Sequence, residues 1–194
     1  MWEARTRSDY YTVSLDNGER KQIAKADYGR FRLSPQGKYA YWYGETDSCW
    51  YTIALAEGKL YRLTTPESFP AWDEENDVPD YPYAHGAAGW TANDQSLLIY
   101  DRYDIWKFDP TAATSPINLT VNGRKEKLSY RLEQLDKEAR FIDLGKPQLL
   151  KGFNETTKDT DSITHASPLQ QPRRPCWQAT ICCDLSTRRR IRTT

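Results

Sequence analysis

Tyr10-Tyr11-Thr12-Val13-Ser14-Leu15-Asp16-Asn17-Gly18, closed by Lys21-Gln22-Ile23-Ala24, returns forty residues later as Trp50-Tyr51-Thr52-Ile53-Ala54-Leu55-Ala56-Glu57-Gly58, closed by Tyr61-Arg62-Leu63-Thr64. The aromatic residue, the threonine, the β-branched residue, the leucine, the glycine and the closing aliphatic all keep their places. In each copy a strand-like run meets a glycine, which supplies the positive φ of a tight hairpin turn. Each copy therefore reads as two antiparallel strands. A looser third copy runs Trp106-Lys107-Phe108-Asp109-Pro110, then Pro116-Ile117-Asn118-Leu119-Thr120, with a longer turn through Thr111 to Ser115.

A second element precedes two of these copies. Phe31-Arg32-Leu33-Ser34-Pro35-Gln36-Gly37-Lys38 leads into Tyr39-Ala40-Tyr41-Trp42-Tyr43, and Gly89-Trp90-Thr91-Ala92-Asn93-Asp94-Gln95 leads into Ser96-Leu97-Leu98-Ile99-Tyr100. Each is a short strand, a polar turn and a second strand, with Ser34-Pro35 and Asn93-Asp94 as turn formers. Chained together, each unit is four short antiparallel strands, the pattern of one β-propeller blade.

The expected fold class is all-β: a partial β-propeller of about two to three four-stranded antiparallel blades. Residues 1–8 are an N-terminal extension, 9–159 the partial propeller, and 160–194 an irregular tail. The repeat lengthens between the second and third copies because of residues 66–88, a Pro-rich, acidic and aperiodic inter-blade insertion. Blades cover one another face to face, and so few cannot close a ring. The chain is expected to be a fragment, or to pack on something else. The recurring alternate positions Leu33, Tyr41, Trp50, Ile53, Leu63, Trp90, Leu98, Trp106, Phe108 and Leu119 are expected in the core. Farther on, Leu128, Leu132 and Leu135 have helical spacing within Lys127 to Arg140. Leu128-Ser129-Tyr130-Arg131-Leu132 also alternates like a strand. Ala139 to Leu144 reads as one more strand.

Composition narrows the function classes. The 194 residues carry 27 basic and 27 acidic side chains, which leaves no long-range field to gather nucleic acid or an anionic membrane. Seven Trp and thirteen Tyr suit half-buried strands, where large rings cover a pleated surface. No run of eighteen apolar residues is present, so no membrane span is expected. Met1-Trp2-Glu3-Ala4-Arg5 is not followed by the apolar stretch of a signal peptide, which leaves a cytoplasmic protein or a missing N-terminus. Cys49, Cys176, Cys182 and Cys183 lack metal-ligand spacing to His85 or His165, so neither a metal nor a cofactor is expected.

Leu33-Ser34-Pro35-Gln36-Gly37-Lys38-Tyr39 resembles the Ser-Pro-Asp-Gly-Lys strand-turn of bacterial propellers. The stretch from Trp72 to Arg124 is more specific, through Trp72-Asp73-Glu74-Glu75-Asn76-Asp77-Val78-Pro79, Gly89-Trp90-Thr91, Ile99 to Trp106, Pro116 to Thr120 and Gly123-Arg124. It resembles the N-terminal propeller domain of bacterial serine peptidases of the prolyl oligopeptidase family, the dipeptidyl-aminopeptidase-like group, over roughly residues 9 to 159. The resemblance implies a propeller that precedes an α/β-hydrolase domain and restricts the active site to peptides able to reach it. It implies a hydrolase domain and peptide substrates as partners, and a periplasmic or secreted parent. No serine of this chain lies in a Gly-x-Ser-x-Gly elbow, where the strained turn demands those glycines, so the chain itself is expected to be inactive. The alternative is a free-standing propeller module that binds protein or glycan.

Glu74 and Glu75 are the candidate site residues. Dipeptidyl peptidases hold a substrate's free amine with paired glutamates, since two carboxylates match an ammonium. The competing expectation is a solvated acidic loop, and a calcium site lacks the right ligand spacing. Trp42, Trp50, Trp90 and Trp106 read as inter-blade core rather than a stacking platform. Asp101-Arg102 and Asp104 read as a turn with a structural ion pair, and the Asn118-Leu119-Thr120 and Asn154-Glu155-Thr156 triplets as chance glycosylation matches.

From Thr160 the composition turns to Cys, Arg, Gln and Pro without strand or helix period. A basic nucleic-acid tail is one reading. The preferred one is translation out of frame. Asp159 to Ser162 back-translates to GAT ACG GAT TCT, with Ile163 as ATC, and regroups to Tyr-Gly-Phe-Tyr. Pro175 to Asp184 regroups to Val-Leu-Ala-Gly-Asn-Tyr-Met-Leu-Arg. Such a tail is expected not to pack on the preceding sheets.

Overall fold

A computed structural model describes residues 7–27, 29–136 and 138–165. The described residues build four antiparallel sheets in sequence order, and within each sheet every strand pairs with its neighbours along the chain. Strands β1 (Ser8–Val13) and β2 (Arg20–Asp27) form a hairpin. Strands β3 (Arg32–Leu33), β4 (Tyr39–Gly44), β5 (Cys49–Ala54) and β6 (Lys59–Arg62) form a four-stranded meander. Strands β7 (Ala87–Trp90), β8 (Leu97–Tyr100), β9 (Ile105–Phe108) and β10 (Ile117–Asn118) form another. Strands β11 (Leu128–Glu133), β12 (Gln148–Asn154) and β13 (Thr160–His165) make a three-stranded sheet. One helical turn, α1 (Gly123–Glu126), leads into β11. The hairpin turns lie where the glycines put them, with Gly18 at φ 72° and Gly58 at φ 66°. Asn93 and Asp94 take φ 60° and 55° in the β7–β8 turn, a region that short polar side chains tolerate.

The sheets stack face to face in chain order, and side-chain alternation explains how. Neighbouring residues of a strand point to opposite faces, so a sheet between two others must be apolar on both. In β4, Ala40 and Trp42 turn back toward the hairpin and pack with Ile53, Ile23 and Phe31. Tyr41 and Tyr43 turn forward and pack with Trp50, Trp90, Leu97, Ile99 and Phe108. In β8, Leu97 and Ile99 face back, while Leu98 and Tyr100 face forward onto Leu128, Tyr130 and Leu150. Three cores thus lie between four sheets. A column of rings crosses the first: Tyr10 on Phe31 at 3.9 Å, Phe31 on Trp42 at 4.1 Å and Trp42 on Tyr51 at 5.4 Å between centroids. Such pairs add about 0.5–1.5 kcal/mol each beyond their buried area.

Seven of the ten expected core residues are buried; Leu63 and Trp106 are half-buried, and Leu33 is 64% exposed. Leu33 pairs with Ala40 as Trp90 pairs with Leu97. Trp90 meets a four-stranded sheet on its side, whereas among the described residues only the β1–β2 hairpin stands on the side of Leu33. The repeat matches Trp106 with Trp50, but the pairings put Ile105 there: Tyr43 opposes Trp50 and Tyr100 opposes Ile105. A slip of one residue reverses the face. Trp106 therefore points back onto Phe69, at 5.3 Å edge to face.

Three boundaries also change. The stretch with helical leucine spacing is β11, because alternation buries Leu128 and Tyr130 while Leu135 stays exposed. Ala139 to Leu144 forms no strand; only Ile142 bridges, in parallel, to Thr91. Thr160–His165, placed in the irregular tail, pairs with β12 from Phe153↔Thr160 to Gln148↔His165. Residues 166–194, and with them most of the out-of-frame reading, lie outside the described residues.

The insertion at 66–88 is split. Phe69 and Ala71 belong to the second core, and Trp72 bridges Ala84. Asp73 to Glu75 and Asp77 to Tyr81 are exposed.

Candidate functional site

The β8–β9 turn organises the ionic face of the molecule. Its first residue, Asp101, accepts the backbone N–H groups of Tyr103 and Asp104 through Oδ1. It accepts the Trp106 indole N–H through Oδ2 at 3.2 Å. Asp104, buried, accepts the Thr120 hydroxyl at 2.6 Å and the Gly123 N–H at 3.0 Å. A Cβ at Gly123 would lie 2.6 Å from Asp104 Oδ1, so only glycine lets this backbone approach. These contacts fix where Arg102, Tyr103 and Arg124 project.

Glu74 and Glu75 reach this turn from the insertion and are held by two different arginines. Arg124 Nη1 and Nη2 lie 3.3 and 3.2 Å from the two Glu74 oxygens. Arg102 Nη2 lies 2.6 Å from Glu75 and 2.9 Å from Glu155. Glu155 also accepts the Tyr103 hydroxyl at 2.8 Å. Burial pulls the Glu155 carboxyl upward, but the hydrogen bonds from Arg102 and Tyr103 outweigh it, and its pKa falls below the usual value. The structure thus brings Glu74 and Glu75 to one edge but matches each carboxylate with a guanidinium. An incoming ammonium would have to displace Arg124 and Arg102.

Asp101 and Asp104 do hold a turn. The ion pairs of Arg102, however, go to Glu75 and Glu155, both remote in sequence. That long-range matching has no local signal, because a strand-to-strand turn carries no information about which loop will cross it.

The remaining candidates serve the framework. Asn118 Oδ1 accepts the N–H groups of Thr120 and Val121, and Asn154 Oδ1 those of Thr156 and Thr157. Thr120 and Asn154 are buried, which suits turn closure rather than glycan attachment. Trp42, Trp50 and Trp90 are buried between sheets. The Cys49 thiol is buried, with Arg62 Nη2 2.9 Å from its sulfur; burial, more than the arginine, sets its pKa, which is raised. A thiol held protonated is a poor nucleophile. Burial also lowers the His85 pKa, with Arg131 adding to the effect, and its Nε2 has no partner among the described residues. Among the described residues no group of three or more His, Cys, Asp or Glu side chains could hold a metal ion.

No protein-family model matches this sequence, and no curated protein matches it. What stands is a mostly-β chain of four antiparallel sheets, two of them complete four-stranded meanders.

Proposed function

We propose that the chain is a non-catalytic part of a β-propeller, of the kind that precedes the hydrolase domain of prolyl oligopeptidase-family serine peptidases and limits which peptides enter. The observation that carries this reading is the pair of consecutive four-stranded meanders, each apolar on both faces and stacked in chain order. Propeller blades are four-stranded meanders that cover one another in this way. The β1–β2 hairpin supports it, since its sequence repeats that of β5–β6, the last two strands of a meander. Residues 166–194 and any residues beyond this sequence are where a hydrolase partner would have to join.

Two measurements test the proposal. The purified chain is expected not to hydrolyse Xaa-Pro chromogenic peptides; turnover blocked by a serine-directed inhibitor would overturn the non-catalytic role. DNA downstream of the coding segment is expected to encode a Gly-x-Ser-x-Gly elbow in some reading frame. A stop in the native frame soon after, with no such elbow, would favour a free-standing binding module instead.

A further inference from the structure

Between the second and third sheets lies a cavity of about 320 Å³. Its apolar wall is aromatic: Tyr41, Tyr43 and Trp50 from β4 and β5, and Tyr83 from the end of the insertion. Arg30 and Arg32 line the same cavity. Arg32 opens β3 and Arg30 lies two residues before it, the spacing that places side chains on one side of an extended chain. Both are exposed, and neither has a carboxylate within 4 Å among the described residues. Arg62, Arg102 and Arg124 each meet an acid, and Arg131 is held by the Tyr130 and Arg102 carbonyls. One carboxylate, Glu45, also lines the cavity and is itself engaged. The lining charge is therefore two minus one, a net of plus one.

We propose that this cavity binds a small carboxylate with an aromatic or apolar body. The carboxylate lies across the Arg30 and Arg32 guanidiniums, whose planar forks match its two oxygens. The body lies on the Tyr83 ring, which is exposed, and against the margins of the buried Tyr41, Tyr43 and Trp50 rings that reach the cavity. A net charge of plus one suits a monoanion better than a phosphate dianion. The volume is at the small end for ligand sites, the size of an N-capped amino acid. This inference does not rest on the peptidase reading.

The test is titration of the full chain with N-acetyl-phenylalanine and with its amide, followed by calorimetry. Saturable binding of the acid is expected, about tenfold tighter than the amide, since one charge-assisted contact is worth about that factor. Arg30→Gln with Arg32→Gln should remove the preference for the acid while leaving the circular dichroism spectrum unchanged. Glu74→Gln, on the ionic face, should leave binding as it was. Equal affinity for acid and amide, no saturation by about 10 mM, or a preference that survives the double substitution would each overturn the proposal. So would displacement of the acid by an equal concentration of inorganic phosphate, which would mark a site for any anion.

Discussion

Asp94 makes a buried polar link between the second and third sheets. Its carboxylate accepts the Ser34 hydroxyl at 2.5 Å and the N–H groups of Gln36 and Lys38 at 3.2 and 3.3 Å. The β7–β8 turn is thereby clamped to the β3–β4 turn, and the buried carboxylate is satisfied by donors it also satisfies. Asp94→Ala leaves a buried hydroxyl and two amides without their acceptor. Its expected cost is about 3 kcal/mol in urea unfolding, against about 1 for Asn, which keeps one acceptor. A second residue-scale prediction concerns His85. Burial holds it neutral, so the folded state binds its proton less readily than the unfolded chain, whose value is 6.5. Its contribution to stability is complete above about pH 6.5 and is lost as pH falls toward the lowered folded value. Unfolding midpoints measured from pH 8 to 5 should fall below pH 6.5, and His85→Gln should flatten that stretch of the curve.

At the scale of elements, register decides which side chains meet. Trp50 and Ile105 share a place because each donates its N–H to a threonine near the end of the outer strand, Thr64 at 2.8 Å and Thr120 at 3.1 Å. Leu63 and Leu119 likewise donate to the carbonyls of Trp50 and Ile105. The Leu-Thr pair that closes each copy is thus a device for holding the fourth strand. Trp106 is the more conspicuous residue but sits one place after Ile105, so matching the copies on tryptophan puts the register off by one. Strand β13 supports another prediction. Among the described residues β13 is the edge of its sheet, and in an antiparallel edge strand alternate N–H groups face the partner. Of Ser162→Pro and Ile163→Pro, one removes a ladder donor and the other points to the free edge. Proline is tolerated at the free edge and not in the ladder. One substitution should cost about 3 kcal/mol and the other far less. If thermal unfolding shows neither to matter, β13 does not pair with β12.

For the whole molecule, three cores between four sheets make stability a sum of neighbouring interfaces. Trp42 belongs to the first core and Leu150 to the third, with no shared partner. Each alanine substitution should cost about 3–5 kcal/mol, and the double substitution should equal their sum within about 0.5. A larger discrepancy in denaturant titrations would mean that the sheets do not transmit load only to their neighbours. The sequence alone determined the strands and turns of the first three sheets. A hairpin needs only local alternation and a residue that accepts positive φ, and both are written in Asn17-Gly18, Glu57-Gly58 and Asn93-Asp94. It also determined that the two four-stranded sheets are covered on both faces, since Tyr39 to Tyr43 and Leu97 to Tyr100 carry apolar side chains in unbroken runs. Tertiary structure decided the rest. Leu33 is exposed and Trp90 buried because different sheets stand beside them, although their local sequences read alike. Glu74 and Glu75 became partners of Arg124 and Arg102, and Arg30 and Arg32 were left facing an aromatic cavity. Which charge meets which depends on how loops cross the stack, and no local propensity encodes that crossing.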